Sequence, residues 1–306
     1  YGCESFKTVK MHIAFLTPEY PHAKTSNSAG LGSSIQNLAT ELMKLKHQVS
    51  VFVYSQDTSE VLNVDGINIY KIAYKKHSFL SWYFYRKDIQ NHINRVIKKE
   101  HIDIIEAPDW TGITAFMKFD CPLLIRLHGS DAYFCNLEGR KQKAKNFFFE
   151  KKALKSADYI TSVSKFTATK TKEIFGIDKE IKVIHNGINI GQFSNSINIT
   201  ESNQILYFGS IIRKKGVLEL ASIFNIIIEK SPSVKLTLLG KDAIDVFEKK
   251  STLQLFKEKL SEKAIKNIIH IKHVPYKEVK NYIAKSTVIV LPSFAEAFPM
   301  TWLEAM

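Results

Sequence analysis

Two glutamates stand eight residues apart near the end of the sequence, Glu296 and Glu304. Glu296 lies in an apolar loop with Phe and Pro that follows a predicted strand, and Glu304 lies about one turn into the next predicted helix. Carboxylates accept hydrogen bonds from vicinal hydroxyls, which is the chemistry of sugar and ribose recognition. A favourable interaction with the helix dipole is the alternative, and it accounts for Glu304 but not for Glu296.

A basic triplet, Arg213, Lys214 and Lys215, lies between the predicted strand Gln204–Gly209 and the predicted helix Gly216–Lys230. A diphosphate at this place would interact with the amino end of the helix and with the side-chain charges together. Solvated surface lysines are the alternative, but the position at the carboxyl end of a strand favours anion binding.

A glycine-rich stretch, Ala29–Ser34, precedes a helix predicted over Ser34–Leu45. Gly30 and Gly32 let the backbone come close to a ligand, and the N–H groups at the helix start can hold a phosphate. A dinucleotide fingerprint requires a third small residue and a strand immediately before the glycines. Ile35 stands at that third position, so the pattern argues against a dehydrogenase. A glycine-rich turn without a ligand is the alternative.

His128 follows the predicted strand Leu123–Leu127, where a histidine can face a ligand and donate a hydrogen bond or a proton. A lone histidine is more often structural, and Asp131 beside it is more often a helix cap or a turn residue. The turn Glu106–Asp109 has the same placement after a strand and the same ambiguity.

These candidates are positioned by an alternation of β-branched runs and helical stretches, which predicts parallel sheets with right-handed crossovers. In the first part, strands are predicted at His12–Thr17, Gln48–Tyr54, Ile102–Ile105, Leu123–Leu127, Tyr159–Val163 and Lys182–Ile184, and helices at Ser34–Leu45, Trp82–Lys99 and Lys145–Lys155. In the second part, strands are predicted at Gln204–Gly209, Val234–Gly240, Ile268–Ile271 and Val288–Pro292, and helices at Gly216–Lys230, Ala243–Ala264 and Tyr276–Lys285.

The alternation restarts after a polar break, Asn189–Asn203, which predicts two domains at residues 11–190 and 200–306. Both are predicted to be α/β domains with Rossmann-like, doubly wound parallel sheets. Ligands of such sheets bind beyond the carboxyl ends of the strands. The expected site is therefore the cleft between the two domains.

The composition is that of a globular protein, because 45% of the 306 residues are hydrophobic and 24% are charged. No apolar run reaches the roughly 18 residues of a transmembrane helix. The net charge of +13 favours anionic partners such as nucleic acid, anionic lipid or phosphorylated ligands, with solvated helix faces as the alternative. The three cysteines, Cys3, Cys121 and Cys135, show no metal-ligand spacing and indicate a reducing cytosol.

In their order along Met11–Met306, the motifs resemble those of the retaining nucleotide-sugar glycosyltransferases of family 4, which have the GT-B fold. Ala29–Gly32 is similar to the glycine-rich loop of that family, and Val183–Asn189 is similar to its "VIPNGVD" sequence. Glu296–Glu304 resembles its Glu-x7-Glu signature. The chain stops at the family's "LEAM" sequence, so the resemblance implies a truncated second domain and a fragment that is poorly stable and inactive by itself.

The resemblance implies a role for each candidate residue. Glu304 would hold the ribose hydroxyls of the donor nucleotide, and Glu296 would hold hydroxyls of the transferred sugar. His128 would contact that sugar near its anomeric centre, and Lys215 would neutralise the diphosphate. The remaining donor-binding positions implied by the resemblance are Gly30, Gly32, Ser210, Arg213, Phe298, Met300 and Thr301.

Two positions depart from the family pattern. The family usually has Arg where Ser210 stands, and Arg213 would then supply the second positive charge beside Lys215. Ala297 replaces a usual Gly and restricts that loop slightly.

The same resemblance implies an enzyme that transfers a hexose-type sugar with retention, without a metal or a cofactor. The donor would be a nucleotide-diphosphate sugar, and the acceptor a hydroxyl of a glycan or a lipid-linked molecule in cell-surface polysaccharide, lipopolysaccharide or glycolipid synthesis. A GT-B sugar-nucleotide epimerase and, more remotely, a basic nucleic-acid-binding protein are the alternatives. No helix-turn-helix, RNA-recognition or zinc signature supports the second alternative, so no nucleic-acid partner is expected.

Two segments mix basic and aromatic residues, Lys75–Lys87 and Arg140–Lys152. Such surfaces suit peripheral binding to anionic lipid, at about 1 kcal/mol per basic residue. This interpretation predicts a cytoplasmic protein on the inner face of the membrane, and lipid binding that weakens on charge reversal at Arg86 and Lys87. The alternative is that the aromatic residues form the core face of ordinary helices.

Overall fold

The computed structural model describes residues 9–25, 30–193 and 202–306. The chain divides after Gly187 into two compact units, Tyr1–Gly187 and Ile188–Met306. The division falls just ahead of the polar stretch that begins at Asn189, of which residues 194–201 lie outside the described residues. Cys3 and Ala29 also lie outside them.

The first unit is an α/β sheet. Its strands are β1 (His12–Thr17), β2 (Gln48–Gln56), β3 (Glu60–Val64), β4 (Ile67–Ala73), β5 (Ile104–Pro108), β6 (Leu123–Leu127), β7 (Tyr159–Ser162) and β8 (Lys182–Val183). Its helices are α1 (Gly30–Lys44), α2 (Ser81–Glu100), α3 (Asp131–Leu137), α4 (Ala144–Ser156) and α5 (Lys165–Phe175). Within the described residues the strand order is β3-β4-β2-β1-β5-β6-β7-β8, and every pair is parallel except β3–β4.

Both faces of this sheet are covered, which explains why a central strand such as β1 carries apolar residues on both of its faces. Side chains alternate along a strand, so Phe15 and Leu16 of β1 face opposite sides. Phe15 belongs to the cluster that contains Ile35 of α1. Leu16 belongs to the cluster that contains Ile89 and Ile93 of α2, at the four-residue spacing that places them on one helix face.

The second unit is built in the same way. Its strands are β9 (Gln204–Phe208), β10 (Lys235–Leu239), β11 (Ile268–Ile271) and β12 (Val288–Ile289). Its helices are α6 (Ile190–Phe193), α7 (Val217–Lys230), α8 (Thr252–Glu258), α9 (Glu262–Ile265), α10 (Tyr276–Lys285) and α11 (Met300–Ala305). In the part of this unit that the structure describes, the strand order is β11-β10-β9-β12 and all pairs are parallel.

The strand order reverses once in each sheet, between β1 and β5 in the first unit and between β9 and β12 in the second. The connections leave such a point in opposite directions, which opens a crevice at the carboxyl ends of the two strands. Each unit thus has its own crevice of the kind in which ligands of such sheets bind.

The prediction of one long helix at Ala243–Ala264 is wrong. Residues after β10 follow an irregular path and then form the two short helices α8 and α9. Each short helix starts at a serine cap: the hydroxyl oxygen of Ser251 accepts from the N–H of Gln254 at 3.0 Å, and that of Ser261 accepts from the N–H of Ala264 at 3.2 Å. Serine caps interrupt a continuous helix because they compete for its backbone N–H groups.

The elements that were not predicted include the hairpin β3–β4 and the helices α3 and α5. The hairpin turns at Asp65 and Gly66, with φ values of 51° and 84°, as a two-residue turn with left-handed residues requires. Helices α3 and α5 start at the serine caps Ser130 and Ser164. Asp131 is therefore the first helical residue of α3 and not its cap.

Candidate active site

Two loops of the second unit approach each other at the crevice between β9 and β12. One follows β9 and leads into α7, and the other follows β12 and leads into α11. The N–H of Phe294 donates to the carbonyl of Lys214 at 2.9 Å and ties the loops together. Gly216 permits this approach, because its φ is +69° and a Cβ there would lie 2.0 Å from the carbonyl oxygen of Pro292.

Lys215 and Glu296 meet across these loops. The distance between Lys215 Nζ and Glu296 Oε1 is 3.2 Å, and the two side chains are 18% and 19% exposed. Gly209 lies beside the pair, since a Cβ there would lie 3.5 Å from Lys215 Nζ and 3.9 Å from Thr301 Cγ2. Glycine at this position therefore keeps the space between Lys215 and Thr301 free of a further side chain. The attraction between Lys215 and Glu296 is stronger than in bulk water because the two groups are only partly solvated.

The other predicted donor-binding residues of this unit line the same two loops. The carbonyl of Ser210 accepts a hydrogen bond from the hydroxyl of Tyr207 at 2.8 Å. Burial, and then the charge of Glu296, raise the pKa of Tyr207, so its hydroxyl stays a neutral donor. Phe298 is partly buried in the second loop, and Met300 is the buried first residue of α11.

Glu304 is a buried carboxylate on α11 and is 7% exposed. The hydroxyl of Tyr276, the first residue of α10, donates to Glu304 Oε1 at 2.7 Å. Burial raises the pKa of Glu304, while the Tyr276 hydrogen bond and the charge of Lys215 oppose that rise. The electrostatic effect of Lys215 on both Glu296 and Glu304 indicates that the three groups form one cluster.

Arg213 is directed away from this cluster. Its Nε and one terminal nitrogen donate to Asp245 at 2.8 and 3.1 Å, and the same terminal nitrogen donates to Glu248 at 2.9 Å. These hydrogen bonds raise the pKa of Arg213. The guanidinium charge is thus neutralised by carboxylates of the loop after β10. The ammonium group of Lys215, two residues further along the chain, pairs with Glu296 instead. That Arg213 contacts a diphosphate stays a prediction.

His128 of the first unit follows β6 and is partly exposed. The backbone N–H of His128 donates to Asp109 Oδ1 at 3.0 Å. Burial, and then the charge of Arg126, lower the pKa of the His128 imidazole, so the ring is neutral near physiological pH. Arg126 is itself paired with Glu106 at 2.8 Å, which gives the predicted turn residue a structural partner.

Gly30 and Gly32 lie inside the first turn of α1 and not in a loop before it, so the predicted helix start at Ser34 is wrong. The N–H of Gly32 donates to Glu19 Oε1 at 2.8 Å. A carboxylate therefore already occupies one N–H group of the predicted anion site, as the positive end of a helix dipole favours. That a phosphate binds here stays a prediction.

Two family models match the chain in succession. "Glycosyltransferase Family 4" matches residues 28–192, more than half of the chain, and "Glycosyl transferases group 1" matches residues 190–306. The chain belongs to glycosyltransferase family 4. Within residues 9–25, 30–193 and 202–306 of this glycosyltransferase, no group of three or more His, Cys, Asp or Glu residues is arranged to hold a metal ion.

The curated relatives of this family 4 glycosyltransferase include two from Methanocaldococcus jannaschii, both uncharacterized glycosyltransferases. MJ1607 is 26% identical over 97% of this chain and 78% of its own length, and MJ1178 is 26% identical over 90% and 72%. TuaC of Bacillus subtilis, a proposed teichuronic acid biosynthesis glycosyltransferase, is 26% identical over 60% of this chain and 44% of its own length.

Solved structures show that the family 4 glycosyltransferase has the GT-B fold. Sucrose-phosphate synthase from Thermosynechococcus elongatus has a TM-score of 0.73 at 15% identity, and the match covers 97% of this chain and 79% of that one. A glycosyltransferase from Rickettsia africae has a TM-score of 0.64 at 17% identity, with 97% and 76% covered.

Other residues of this glycosyltransferase contact the predicted site residues but were missed in the sequence, among them Tyr276 and Asp245. Tyr276 follows Pro275 at a helix start and gives no local sign of its distant carboxylate partner. Asp245 was placed in a helix that does not form. Asp109 belongs to the turn Glu106–Asp109, which the sequence places after a strand as it does His128, and the structure joins the two residues by a hydrogen bond.

Proposed function

We propose that this glycosyltransferase transfers a hexose-type sugar from a nucleotide-diphosphate sugar to a hydroxyl acceptor with retention of the anomeric configuration. The observation that carries the proposal is the contact between Lys215 and Glu296 at the carboxyl ends of β9 and β12. A positive charge for a diphosphate and a carboxylate for sugar hydroxyls lie side by side there, with Glu304 in the same cluster for the ribose.

The sugar's bond to the diphosphate breaks in this reaction, and the electron pair of that bond leaves with the phosphate oxygen. Lys215 and the amino end of α7 stabilise the negative charge that develops. The acceptor oxygen forms its new bond on the face that the leaving group vacates, which retains the configuration. The acceptor proton passes to the departing phosphate oxygen, so no second carboxylate at glycosidase spacing and no metal is required.

Glu296 holds hydroxyls of the transferred sugar, helped by backbone N–H groups of Phe298, Met300 and Thr301. The role proposed for His128 is a sugar contact, for which a neutral imidazole donates one hydrogen bond without adding a positive charge.

The test is a donor screen with the wild-type protein. UDP-, GDP- and ADP-sugars are incubated with candidate acceptors, nucleoside diphosphate release is measured, and the anomeric configuration of the product is read by NMR. Glu296→Ala is expected to abolish transfer, whereas Glu262→Ala, which removes an exposed carboxylate of the same unit, leaves it unchanged. An inverted product would contradict retention, and turnover by Glu296→Ala would contradict the role of that residue.

The acceptor is proposed to be a glycan or a lipid-linked molecule of cell-surface polysaccharide, lipopolysaccharide or glycolipid synthesis. The description of TuaC as a teichuronic acid biosynthesis glycosyltransferase supports this proposal. The proposed location is the cytoplasm, at the inner face of the membrane. No helix in the described residues has both the length and the apolarity to cross a bilayer.

The aromatic residues of the two basic segments largely pack inward, as the core alternative holds. Phe149 is 5% exposed, and Trp82 packs against the core of the first unit. Arg86 is 8% exposed and donates to the carbonyls of Trp82 and Gly112. The proposed charge reversal at Arg86 would therefore disrupt the fold and cannot test lipid binding.

An exposed turn ahead of α2 supports membrane contact better. Phe79 is 71% exposed and Leu80 is 42% exposed, next to the exposed Lys75 and Lys76. Apolar side chains flanked by lysines suit the interface of an anionic bilayer.

The test is co-sedimentation with vesicles of phosphatidylserine and phosphatidylcholine at low salt. The double variant Lys75→Glu, Lys76→Glu is expected to lose binding, while the control Lys98→Glu, Lys99→Glu makes the same charge change at the far end of α2 and retains it. Equal binding by the two double variants would contradict the proposed membrane surface.

A further inference from the structure

Tyr276 is the side chain of α10 that reaches the donor cluster. Its hydroxyl donates to Glu304 Oε1 at 2.7 Å, and the two residues are 28 positions apart in the sequence. The two helices also pack through apolar side chains, because Val279 and Ile283 of α10 and Ala305 of α11 belong to one cluster. The hydrogen bond is therefore built on a packed interface and not on two loose side chains.

A carboxylate has two oxygens and can accept from both hydroxyls of a ribose diol. With Tyr276 on Oε1, the rotation of the Glu304 side chain is fixed, and its second oxygen is presented in a constant direction. The phenolic hydroxyl also stabilises the ionised form of Glu304, against the burial that favours the protonated form. An ionised carboxylate accepts two hydrogen bonds from a diol, whereas a protonated one gives up part of that capacity.

We propose that Tyr276 is a positioning residue, which orients the ionised Glu304 carboxylate toward the ribose hydroxyls and makes the site selective for ribonucleotides over 2′-deoxyribonucleotides. The inference rests on the proposed donor-binding role of Glu304. The role of Tyr276 differs from that of Glu304, because Tyr276 acts on the nucleotide only through the Glu304 carboxylate.

The experiment measures the binding of UDP, GDP and ADP to the wild-type protein by calorimetry, followed by the 2′-deoxy form of the tightest of them. Tyr276→Phe is expected to weaken ribonucleotide binding about tenfold, the size of a hydrogen bond to a charged group. It is expected to weaken 2′-deoxynucleotide binding less, so the selectivity ratio falls. The donor KM rises in the same proportion while kcat at saturating donor stays unchanged.

The pH profile separates positioning from a purely structural role. Losing the hydrogen bond raises the pKa of Glu304 further, so nucleotide affinity is lost at a higher pH on acidification than in the wild type. Tyr282→Phe removes a hydroxyl from the same helix and is the matched control, with an unchanged profile. In the Glu304→Gln background, Tyr276→Phe is expected to have no further effect on affinity, since the two side chains act as one unit.

Two results would overturn the inference and are distinguishable from a failure of the proposed function. If the wild type binds a nucleoside diphosphate but Tyr276→Phe keeps its affinity, selectivity and pH profile, the positioning role is wrong and the donor site stands. If Tyr276→Phe weakens binding only in proportion to a loss of unfolding free energy, its role is structural. If the wild type binds none of the three nucleotides, the proposed function is wrong and this inference with it.

Discussion

Glu150 in the first unit and Glu304 in the second are both buried carboxylates, and burial is the main cause that raises the pKa of each. Their partners differ. Glu150 accepts from the backbone N–H groups of Thr111, Asp131 and Ala132 and from the side chain of Gln142, at 2.9 to 3.2 Å. Glu304 accepts from the side chain of Tyr276 and interacts with Lys215.

The difference separates a carboxylate that serves the fold from one that serves a ligand. The oxygens of Glu150 are used by the backbone at the start of α3, so this side chain holds a loop and a helix in place. Glu304 accepts from the Tyr276 side chain and Glu296 pairs with the Lys215 side chain, and such side-chain contacts can reorganise when a ligand arrives. In this protein, the buried carboxylate that holds backbone N–H groups is the structural one, and the one with a side-chain partner is the one we assign to a ligand.

The largest expected effect is on catalysis in the second unit. Lys215→Met is expected to lower nucleoside diphosphate release by about 1000-fold, because the charge that stabilises the leaving group is lost. The free energy of unfolding from urea titration is expected to change by less than about 1 kcal/mol. Lys230→Met, at an exposed lysine of α7, is the control. A tenfold loss or less would assign the leaving group to other residues.

The converse is expected in the first unit. Glu150→Ala leaves three backbone N–H groups, that of Ala132 buried, without their carboxylate and is expected to lower the unfolding free energy of this unit by about 3 kcal/mol. Nucleoside diphosphate binding by the folded protein should stay the same. Glu173→Ala, at an exposed glutamate of α5, is expected to be nearly neutral. A loss of nucleotide affinity in folded Glu150→Ala would erase the contrast between the two units.

We expect the unfolding free energy of the first unit to depend on pH through Asp109. Burial raises its pKa to about 7, so the folded state keeps a proton that the unfolded state has lost above about pH 4. The unfolding free energy contributed by this group therefore falls as pH rises from about 4 to about 7, by at most about 1.4 kcal/mol per pH unit. Urea titrations of Asp109→Asn should lack this slope, and parallel profiles for wild type and variant would refute the assignment.

Arg213 is expected to give the smallest effect. Because its guanidinium is paired with Asp245 and Glu248, Arg213→Ala is expected to weaken nucleoside diphosphate binding by only about threefold, against a much larger loss for Lys215→Met. Calorimetric titration of both variants gives the comparison. Equal losses would mean that Arg213 leaves its ion pairs when the nucleotide binds.

The sequence predicts those features of the fold that depend on local patterns. The strands His12–Thr17 and Leu123–Leu127 are mostly apolar runs, and such runs mark strands that are buried on both faces. The positions of Lys215 and Glu296 follow from strand ends, because parallel strands bring their carboxyl ends to one edge.

What the sequence does not predict depends on contacts between distant residues. The hydroxyl of Tyr276 and the carboxylate of Glu304 meet only because α10 and α11 pack together. Arg213 takes Asp245 as its partner because the segment expected to be helical instead forms an irregular loop. The Asp-Gly turn of the hairpin and the serine caps are local signals that the sequence does contain. The prediction followed the spacing of apolar residues instead and so did not use these signals.

The most direct test of the central claim is amide hydrogen exchange with and without the nucleoside diphosphate that binds best. With the nucleotide bound, we expect slower amide exchange in residues 209–216 and 294–304, where Lys215, Glu296 and Glu304 lie. We expect unchanged exchange around Glu150. Unchanged exchange in both of those segments, despite bound nucleotide, would contradict the assignment of the donor site to the second unit.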